Sequence, residues 1–189
     1  METIRAFIAV KLSPEIRDSL KDLQTQLRHR DLDVKWVEPE NIHLTMKFLG
    51  DIRADKIEEI KGALAEAVSG CGRFDISLAG TGVFPDRKRP RVIWAGIRDG
   101  SETLVKLAGR IEECMEICGF QRDDRGFTAH ITIARVKEMH FPQQFFETAE
   151  KLKDREFGRM TVKKISLIKS TLTQKGPIYD TICKTEFRG

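Results

Sequence analysis

Two of the histidines in this chain occupy the same short pattern. The 189 residues contain four histidines, at His29, His43, His130 and His140. Thr45 follows His43 by two positions and Thr132 follows His130 by two positions, and both pairs lie in apolar runs that favour a β-strand. With thirteen threonines in the chain, chance predicts fewer than one His-x-Thr pair. The repeated pattern therefore indicates a shared role for the two segments.

Strand geometry gives the His-x-Thr pattern a chemical meaning. Side chains alternate between the two faces of a strand, so His43 and Thr45 share one face while Leu44 points to the other. Near neutral pH one imidazole can accept a proton while a second donates one. Threonine hydroxyls can donate hydrogen bonds to phosphate oxygens. Two such strands around a cleft would therefore suit a phosphodiester without a metal ion. The alternative is two histidines on solvated strand faces, with threonine present for its β propensity.

The spacing of the two motifs suggests an internal duplication. They lie 87 residues apart, close to half the chain, although the similarity between the halves is otherwise weak. The remaining histidines carry no such pattern. His29 lies at a predicted helix end, where a positive charge interacts favourably with the helix dipole, and His140 precedes Phe141-Pro142 in a predicted loop.

Helical and strand patterns alternate along the sequence. Ser13 and Pro14 form a typical helix start, and apolar spacing predicts helices over residues 14–29, 57–68, 104–118 and 143–152. Predicted strands cover 3–10, 34–37, 42–49, 74–78, 91–97, 127–136, 157–162, 165–168 and 179–187, and segment 80–90 is predicted to be a loop. Because the strands lack the long apolar runs of a parallel sheet, we predict an α+β fold with antiparallel sheets. Two lobes that exchange strands fit this order better than two independent domains.

Composition excludes some classes of protein and leaves others open. The longest run without a charged residue spans the ten positions 76–85, too short for a membrane-spanning helix, and no secretory signal pattern is visible. The four cysteines form no CxxC pair and there is no histidine cluster with metal-ligand spacing. We therefore expect reduced cysteines, a cytoplasmic location and no metal site. The net charge of +4 permits a nucleic acid or phosphate partner without requiring one.

The motifs and their surroundings resemble those of the two-histidine phosphoesterases. The resemblance is closest to the RNA 2′,3′-cyclic phosphodiesterases, historically named 2′-5′ RNA ligases. It extends in order over nearly the whole chain, through residues 5–10, 36–50, 82–85, 91–96, 127–136 and 170–179.

This resemblance implies a single two-lobed domain over residues 1–189. The expected architecture is a bilobal α+β fold with pseudo-twofold symmetry, in which two antiparallel sheets form a V-shaped cleft with helices outside. The implied reaction is metal-independent hydrolysis of an RNA 2′,3′-cyclic phosphate to a 2′-phosphomonoester, with no cofactor. By resemblance, His130 is the general base, His43 is the general acid, and Thr45 and Thr132 hold the non-bridging oxygens. The residues alone leave the two histidine roles interchangeable. Some relatives also join tRNA halves through a 2′-5′ linkage.

Five further side chains are candidates for contact with the substrate. Arg135 suits a phosphate, but strict alternation places it opposite His130 unless the strand ends or bulges there. Alternation places Lys47 on the His43 face and Phe48 on the core side, where packing is its expected role. Phe84 and Tyr179 are candidates for stacking on a nucleobase, and Tyr179 is the better cleft candidate because it follows a Gly-Pro break.

The basic loop also leaves two readings open. Its cations could receive an RNA backbone or could simply be solvated, and they are Arg87, Lys88, Arg89 and Arg91. The competing functional hypotheses are a non-catalytic RNA- or nucleotide-binding module and a phosphodiesterase for small cyclic nucleotides or ADP-ribose cyclic phosphate. We expect RNA with a 2′,3′-cyclic phosphate end, such as a tRNA half, or a small cyclic nucleotide as the partner, with no membrane contact and a monomeric chain.

Overall fold

A computed structural model describes residues 3–137, 141–174 and 176–188, so the prediction for His140 lies outside the described residues. Nine strands and four helices occur within these ranges. In chain order they are β1 (Thr3–Lys11), α1 (Pro14–Leu27), β2 (Val34–Trp36), β3 (His43–Arg53), α2 (Ile57–Ala67), β4 (Phe74–Phe84), β5 (Val92–Ile97), α3 (Ser101–Ile117), β6 (His130–Val136), α4 (Gln143–Lys151), β7 (Glu156–Val162), β8 (Lys164–Thr173) and β9 (Gly176–Glu186).

The strands form two antiparallel sheets that exchange strands between the halves of the chain. The first sheet has the order β3-β1-β8-β9 and the second has the order β2-β6-β5-β4-β7. In the first sheet β1 pairs with β3 and β8, and in the second β5 pairs with β6 and β4. Strand β8 comes from the second half and β4 from the first. The predicted α+β class, the antiparallel sheets and the strand exchange are confirmed.

The helices cover one face of each sheet and close a continuous apolar core. Helix α3 packs on β3 and α2 on β9, whereas α1 packs on β7 and α4 on β4. The core joins fully buried side chains from both sheets, such as Leu44 and Ile131, with helical ones such as Leu20 and Ile111. None of the helices in the described ranges is long and apolar enough to span a lipid bilayer.

The N-terminus of α1 forms as the sequence predicts. Pro14 occupies the first turn, and the Ser13 side chain accepts a hydrogen bond from the backbone N–H of Ile16 at 3.4 Å. This bond satisfies one of the donors that a helix start leaves unpaired. The apolar stripe of α1 then carries one polar member, Gln24, which is almost fully buried.

The prediction of a loop from residue 80 is wrong for its first part, because β4 continues to Phe84. Gly80 adopts a positive φ of 72° in an irregular stretch between Leu78 and Thr81, after which pairing with β5 resumes. A β-carbon on Gly80 would lie 2.6 Å from the backbone oxygen of Lys153, so glycine allows this close approach. The second half of β4 extends the sheet toward the second histidine motif.

Candidate active site

The first histidine is oriented by backbone and aromatic contacts. His43 begins β3, one residue after a short 3₁₀ turn at Pro39–Asn41. Its Nδ1 lies 2.7 Å from the backbone oxygen of Asn41, and its ring stacks on Phe7 with a centroid separation of 4.7 Å. A carbonyl oxygen only accepts, so Nδ1 carries the hydrogen and Nε2 is left available for chemistry.

The second histidine has the same local arrangement. Nδ1 of His130, the first residue of β6, lies 2.7 Å from the backbone oxygen of Thr128, two positions earlier. The Phe84 ring meets the His130 ring edge-on at 5.0 Å. The matching bonds assign the same tautomer to both imidazoles, so each presents Nε2. The two segments lie 87 residues apart and share both the His-x-Thr sequence and the orientation of the imidazole.

Both threonines lie on the same strand faces as their histidines. Strand β1 places Lys11 opposite His43 and Ala9 opposite Thr45, with no break in register between the two pairs. Strand β5 likewise places Gly96 opposite His130 and Trp94 opposite Thr132. The intervening side chains, Leu44 and Ile131, are fully buried in the core. The predicted alternation therefore holds across each His-x-Thr segment.

A β-bulge follows Thr45 and reverses the alternation beyond it. Ile8 of β1 pairs with Lys47, so Met46 is an extra residue in β3, and Met46 and Lys47 are both buried. The next residue, Phe48, is 65% exposed and lies opposite Phe7. The predictions of Lys47 on the His43 face and Phe48 on the core side are therefore wrong, because one inserted residue exchanges the two faces.

A bulge in the same place carries Arg135 to the His130 face. Trp94 pairs with Thr132 and Ile93 pairs with Ala134, so Ile133 is the extra residue in β6. Ile133 and Ala134 are both buried, and Arg135 is exposed. The sequence allowed Arg135 to reach the cleft only if the strand ended or bulged there, and the structure contains this bulge. Arg135 and Phe48 occupy equivalent positions in the two motifs.

Buried polar side chains hold both bulges. Gln24 of α1 donates through Nε2 to the backbone oxygens of Ile133, at 2.9 Å, and Val37, at 2.8 Å. At the other bulge, Nζ of Lys47 donates to Glu112 of α3 at 2.5 Å and to the backbone oxygen of Gln121 at 2.8 Å. Each bond anchors a bulged strand to a neighbouring element. Sequence reasoning did not identify Gln24. The signal that could have done so is its polar side chain within the apolar stripe of α1.

Tyr179 also lies on the site face of the first sheet. It packs on a small cluster formed by Phe7, Ala9 and Ile168, and its ring meets that of His43 edge-on at 5.3 Å. The sheet is curled, since His43 and Tyr179 come from its two edge strands. Asn41 strengthens this closure by donating from Nδ2 to the backbone oxygen of Pro177 at 3.0 Å. The structure thus places Tyr179 beside His43, and its suggested stacking on a nucleobase stays a prediction.

Burial lowers the pKa of His43 to about 4, and the positive charges of Arg135 and Lys11 act in the same direction. The hydrogen bond to Asn41 acts against them. For Tyr179, burial raises the pKa, which the charges of Arg135 and Arg5 oppose. Arg135 belongs to the second sheet, whereas His43 and Tyr179 belong to the first. Arg135 acts on the pKa of both side chains, and strands β3 and β6 contact each other across the two sheets. No group of three or more potential metal ligands occurs in the described part of the chain.

The fold and the two matched histidine strands define a two-histidine phosphoesterase. The sequence model of the LigT-like phosphoesterases matches residues 10–94 and 97–179, two stretches whose starts are separated by the same interval as the histidines. This match covers most of the chain, and the protein therefore belongs to the LigT-like phosphoesterase family.

Individual relatives agree with this assignment. The RNA 2′,3′-cyclic phosphodiesterase of Methanothermobacter thermautotrophicus is 38% identical over 93% of this chain and 95% of the relative. That of Aquifex aeolicus is 39% identical over 96% of each chain. Among solved structures, TT0787 of Thermus thermophilus superposes with a TM-score of 0.82 at 30% identity, covering 98% of this chain and 99% of the other. Escherichia coli LigT, solved with 3′-AMP, has the same fold, with a TM-score of 0.78 at 22% identity over the full length of both chains.

Proposed function

We propose that this protein hydrolyses RNA 2′,3′-cyclic phosphate ends to 2′-phosphomonoesters without a metal ion. The observation that carries the proposal is the pair of histidines with Nδ1 bound to a backbone carbonyl, each followed on the same face by a threonine. This arrangement supplies a proton acceptor, a proton donor and two hydroxyl donors to one phosphate. A purely binding protein would not need two imidazoles in matched tautomers.

The proposed reaction divides the proton transfers between the two sheets. Nε2 of His130 accepts a proton from the attacking water, and Nε2 of His43 donates a proton to the departing 3′ oxygen. The hydroxyls of Thr45 and Thr132 donate to the non-bridging oxygens, and the guanidinium of Arg135 stabilises the charge that accumulates on them. No covalent intermediate is required, since water attacks the phosphorus directly.

The lowered pKa of His43 sets a condition on this division of roles. An imidazole with a pKa of about 4 is neutral in the free protein at pH 7. A bound phosphodiester brings a negative charge to the site, which favours the imidazolium and offsets both the burial and the neighbouring cations. We therefore propose that His43 acquires its proton when the substrate binds.

RNA is the proposed substrate class because the relatives cited above carry the name RNA 2′,3′-cyclic phosphodiesterase. The same groups could open the cyclic phosphate with a 5′-hydroxyl of a second RNA in place of water, with the 3′ oxygen again departing, to give a 2′-5′ linkage between fragments such as tRNA halves. We propose that the protein performs this work as a cytoplasmic monomer. A phosphodiesterase for small cyclic nucleotides would use the same catalytic groups and differ in the surface around them.

Product identification tests the proposed reaction. A nucleoside 2′,3′-cyclic phosphate should yield only the 2′-phosphate, and the rate should be unchanged after dialysis against EDTA, because the proposed charge stabilisation uses side chains alone. Products can be separated by anion-exchange chromatography against both authentic isomers. A 3′-phosphate product would refute the direction of attack, and loss of activity that added metal restores would refute metal independence.

We propose that the basic loop after β4 receives an RNA backbone. It starts directly beyond Phe84, whose ring contacts His130, and the backbone N–H of Arg91 returns to the oxygen of Phe84 at 2.6 Å. The carboxylate of Asp86 shapes the loop by accepting from the backbone N–H groups of Lys88 and Arg89 at 2.7 and 2.9 Å. The side chains of Lys88 and Arg89 are exposed.

Removing two of these charges should distinguish RNA from a mononucleotide. For the double variant Lys88→Gln/Arg89→Gln, we expect kcat/KM on an RNA with a cyclic phosphate end to fall roughly fivefold, with a shallower dependence on salt. Hydrolysis of a mononucleoside cyclic phosphate should not change. The matched control is Lys21→Gln/Lys106→Gln, which removes two exposed charges from the outer helices α1 and α3. Equal effects of the two double variants would contradict an RNA-binding role for the loop.

A further inference from the structure

Lys35 is an exposed cation on the site face of the second sheet, and none of the groups discussed so far uses it. Strand β2 places Lys35 directly opposite Arg135 of β6. Directly opposed residues of an antiparallel pair share a face, so Lys35 lies on the face to which the bulge of β6 turns Arg135. Both side chains are exposed, whereas the adjacent pair, Trp36 and Ala134, packs against the core.

The pairing of Lys35 with Arg135 is unfavourable without a further charge. Like charges in directly opposed strand positions repel each other. No acidic side chain of the described ranges forms an ion pair with either of them. Just beyond this pair, by contrast, Nζ of Lys137 lies 3.4 Å from a carboxylate oxygen of Asp33. Two neighbouring cations with no acidic partner favour an anionic ligand.

The ammonium of Lys35 lies at the rim of the site, where the first sheet approaches the second. A β-carbon on Gly176, the first residue of β9, would lie 3.8 Å from its Nζ. The next residue, Pro177, accepts the hydrogen bond from Asn41 at 3.0 Å, and the backbone oxygen of Asn41 binds Nδ1 of His43. Lys35 is therefore separated from the proposed reaction centre by a short chain of contacts, and it lies one strand farther out than Arg135.

We propose that Lys35 binds a second phosphate of the substrate, the phosphodiester on the 5′ side of the terminal nucleotide. This inference rests on the proposed function and adds a subsite to it. The cyclic phosphate occupies the 3′ end of an RNA, so every other phosphate of that RNA lies on the 5′ side. Lysine suits this position because its ammonium is a point charge on a flexible stem, which binds a phosphate without a fixed geometry.

The test compares adenosine 2′,3′-cyclic phosphate with the same compound carrying a 5′-phosphate. The unmodified protein should favour the 5′-phosphorylated compound in kcat/KM by about tenfold, the lower end for one charge-assisted hydrogen bond. Lys35→Gln should remove this preference through KM and leave kcat/KM on the unphosphorylated compound unchanged. Lys35→Arg should retain the preference. Lys137→Gln, which removes a cation that already has a carboxylate partner, is the matched control and should also retain it.

The stability of Lys35→Gln separates binding from a structural role. Because the substitution removes a repulsion, urea unfolding should show a variant at least as stable as the unmodified protein. A clear loss of stability, or an equal loss of activity on both compounds, would mean that Lys35 serves the fold or the reaction centre instead. An unchanged preference in Lys35→Gln, or no preference in the unmodified protein, would refute the second-phosphate subsite.

A binding experiment keeps the subsite testable if the unmodified protein hydrolyses neither compound, in which case the proposed function fails separately. The probes are adenosine 2′-phosphate and adenosine 2′,5′-bisphosphate, titrated in a calorimeter into the unmodified protein and into Lys35→Gln. Tighter binding of the bisphosphate that Lys35→Gln abolishes would support the subsite. The absence of this difference would refute it.

Discussion

Replacing either His43 or His130 with alanine is expected to lower the hydrolysis of a nucleoside 2′,3′-cyclic phosphate by about 10²–10⁴-fold, the usual contribution of a positioned acid or base. The loss should appear mainly in kcat, because the threonines and Arg135 still bind the phosphate. His29→Ala is the matched control, since its ring lies outside the site and accepts a hydrogen bond from the backbone of Asp31. Full activity in either site variant would defeat the paired mechanism.

The same two variants can assign the acid and the base. In a 3′-deoxynucleoside 2′-(4-nitrophenyl phosphate), a nitrophenolate takes the place of the departing 3′ oxygen and leaves without a proton. On this compound His43→Ala should recover most of its lost rate, whereas His130→Ala should remain impaired. The opposite pattern would make His43 the general base and His130 the general acid. The test matters because the lowered pKa of His43 disfavours the protonated form that a general acid needs.

The pKa of His43 also gives a stability effect of defined sign. Its pKa is about 4 in the fold and about 6.5 in the unfolded chain, so the unfolded chain binds more protons between these values. The neutral form stabilises the fold above pH 6.5, and this contribution is lost as the pH falls toward 4. We therefore expect His43→Gln to lose less stability than the unmodified protein between about pH 7 and pH 4, as measured by urea unfolding. An identical pH dependence in both proteins would contradict the buried neutral imidazole.

Replacing Lys47 with methionine is expected to destabilise the protein by about 3 kcal/mol. The Lys47 side chain is 4% exposed and that of Glu112 is 20% exposed, so the substitution would leave a largely buried carboxylate without its partner. It would also release the backbone oxygen of Gln121, in the loop that leads to His130. Urea unfolding with a constant m-value would measure the change.

Two further variants distinguish the stability lost with the ion pair from the stability lost with side-chain packing. In Lys47→Met/Glu112→Gln the unpaired charge is removed, so stability should partly recover. Arg53→Met breaks the pair with Asp55, and its loss should change stability far less, because both side chains are exposed to solvent that screens their attraction. If Lys47→Met were as stable as the unmodified chain, or if the double variant gained nothing, the ion pair would not be what holds this bulge.

Sequence patterning predicted the motif faces only as far as Thr45 and Thr132. Within each His-x-Thr segment the two-residue period is local, and the structure follows it. Beyond the threonines the period fails, because the inserted residue at each bulge is held by partners far along the chain. Gln24 lies 109 positions from Ile133, and no local pattern relates them. Simple alternation therefore placed Phe48 on the wrong face, and Arg135 reaches the His130 face only because of the bulge that the sequence left as a condition.

The sequence predicted the fold class more accurately than the ends of the individual strands. Alternating helices and antiparallel strands, a helix start at Ser13 and the exchange of strands all follow from spacing and from the absence of long apolar strands. The extension of β4 to Phe84 could not be predicted, because glycine usually ends a strand pattern. Here Gly80 absorbs the irregularity and pairing resumes. The contact of Phe84 with His130 depends on that continuation.

The strand exchange has a consequence for how the chain is made. Strand β1 lies between β3 and β8, so the residues that complete its pairing are synthesised after more than 150 others. An emerging chain therefore cannot finish its first lobe while the second is still being translated, although domains usually fold as units during synthesis. We propose on this ground that the chain folds as one domain. Catalytic competence would then arise only after β8 and β9 have been synthesised, and a chain truncated before them would carry His43 in a sheet that lacks these two strands.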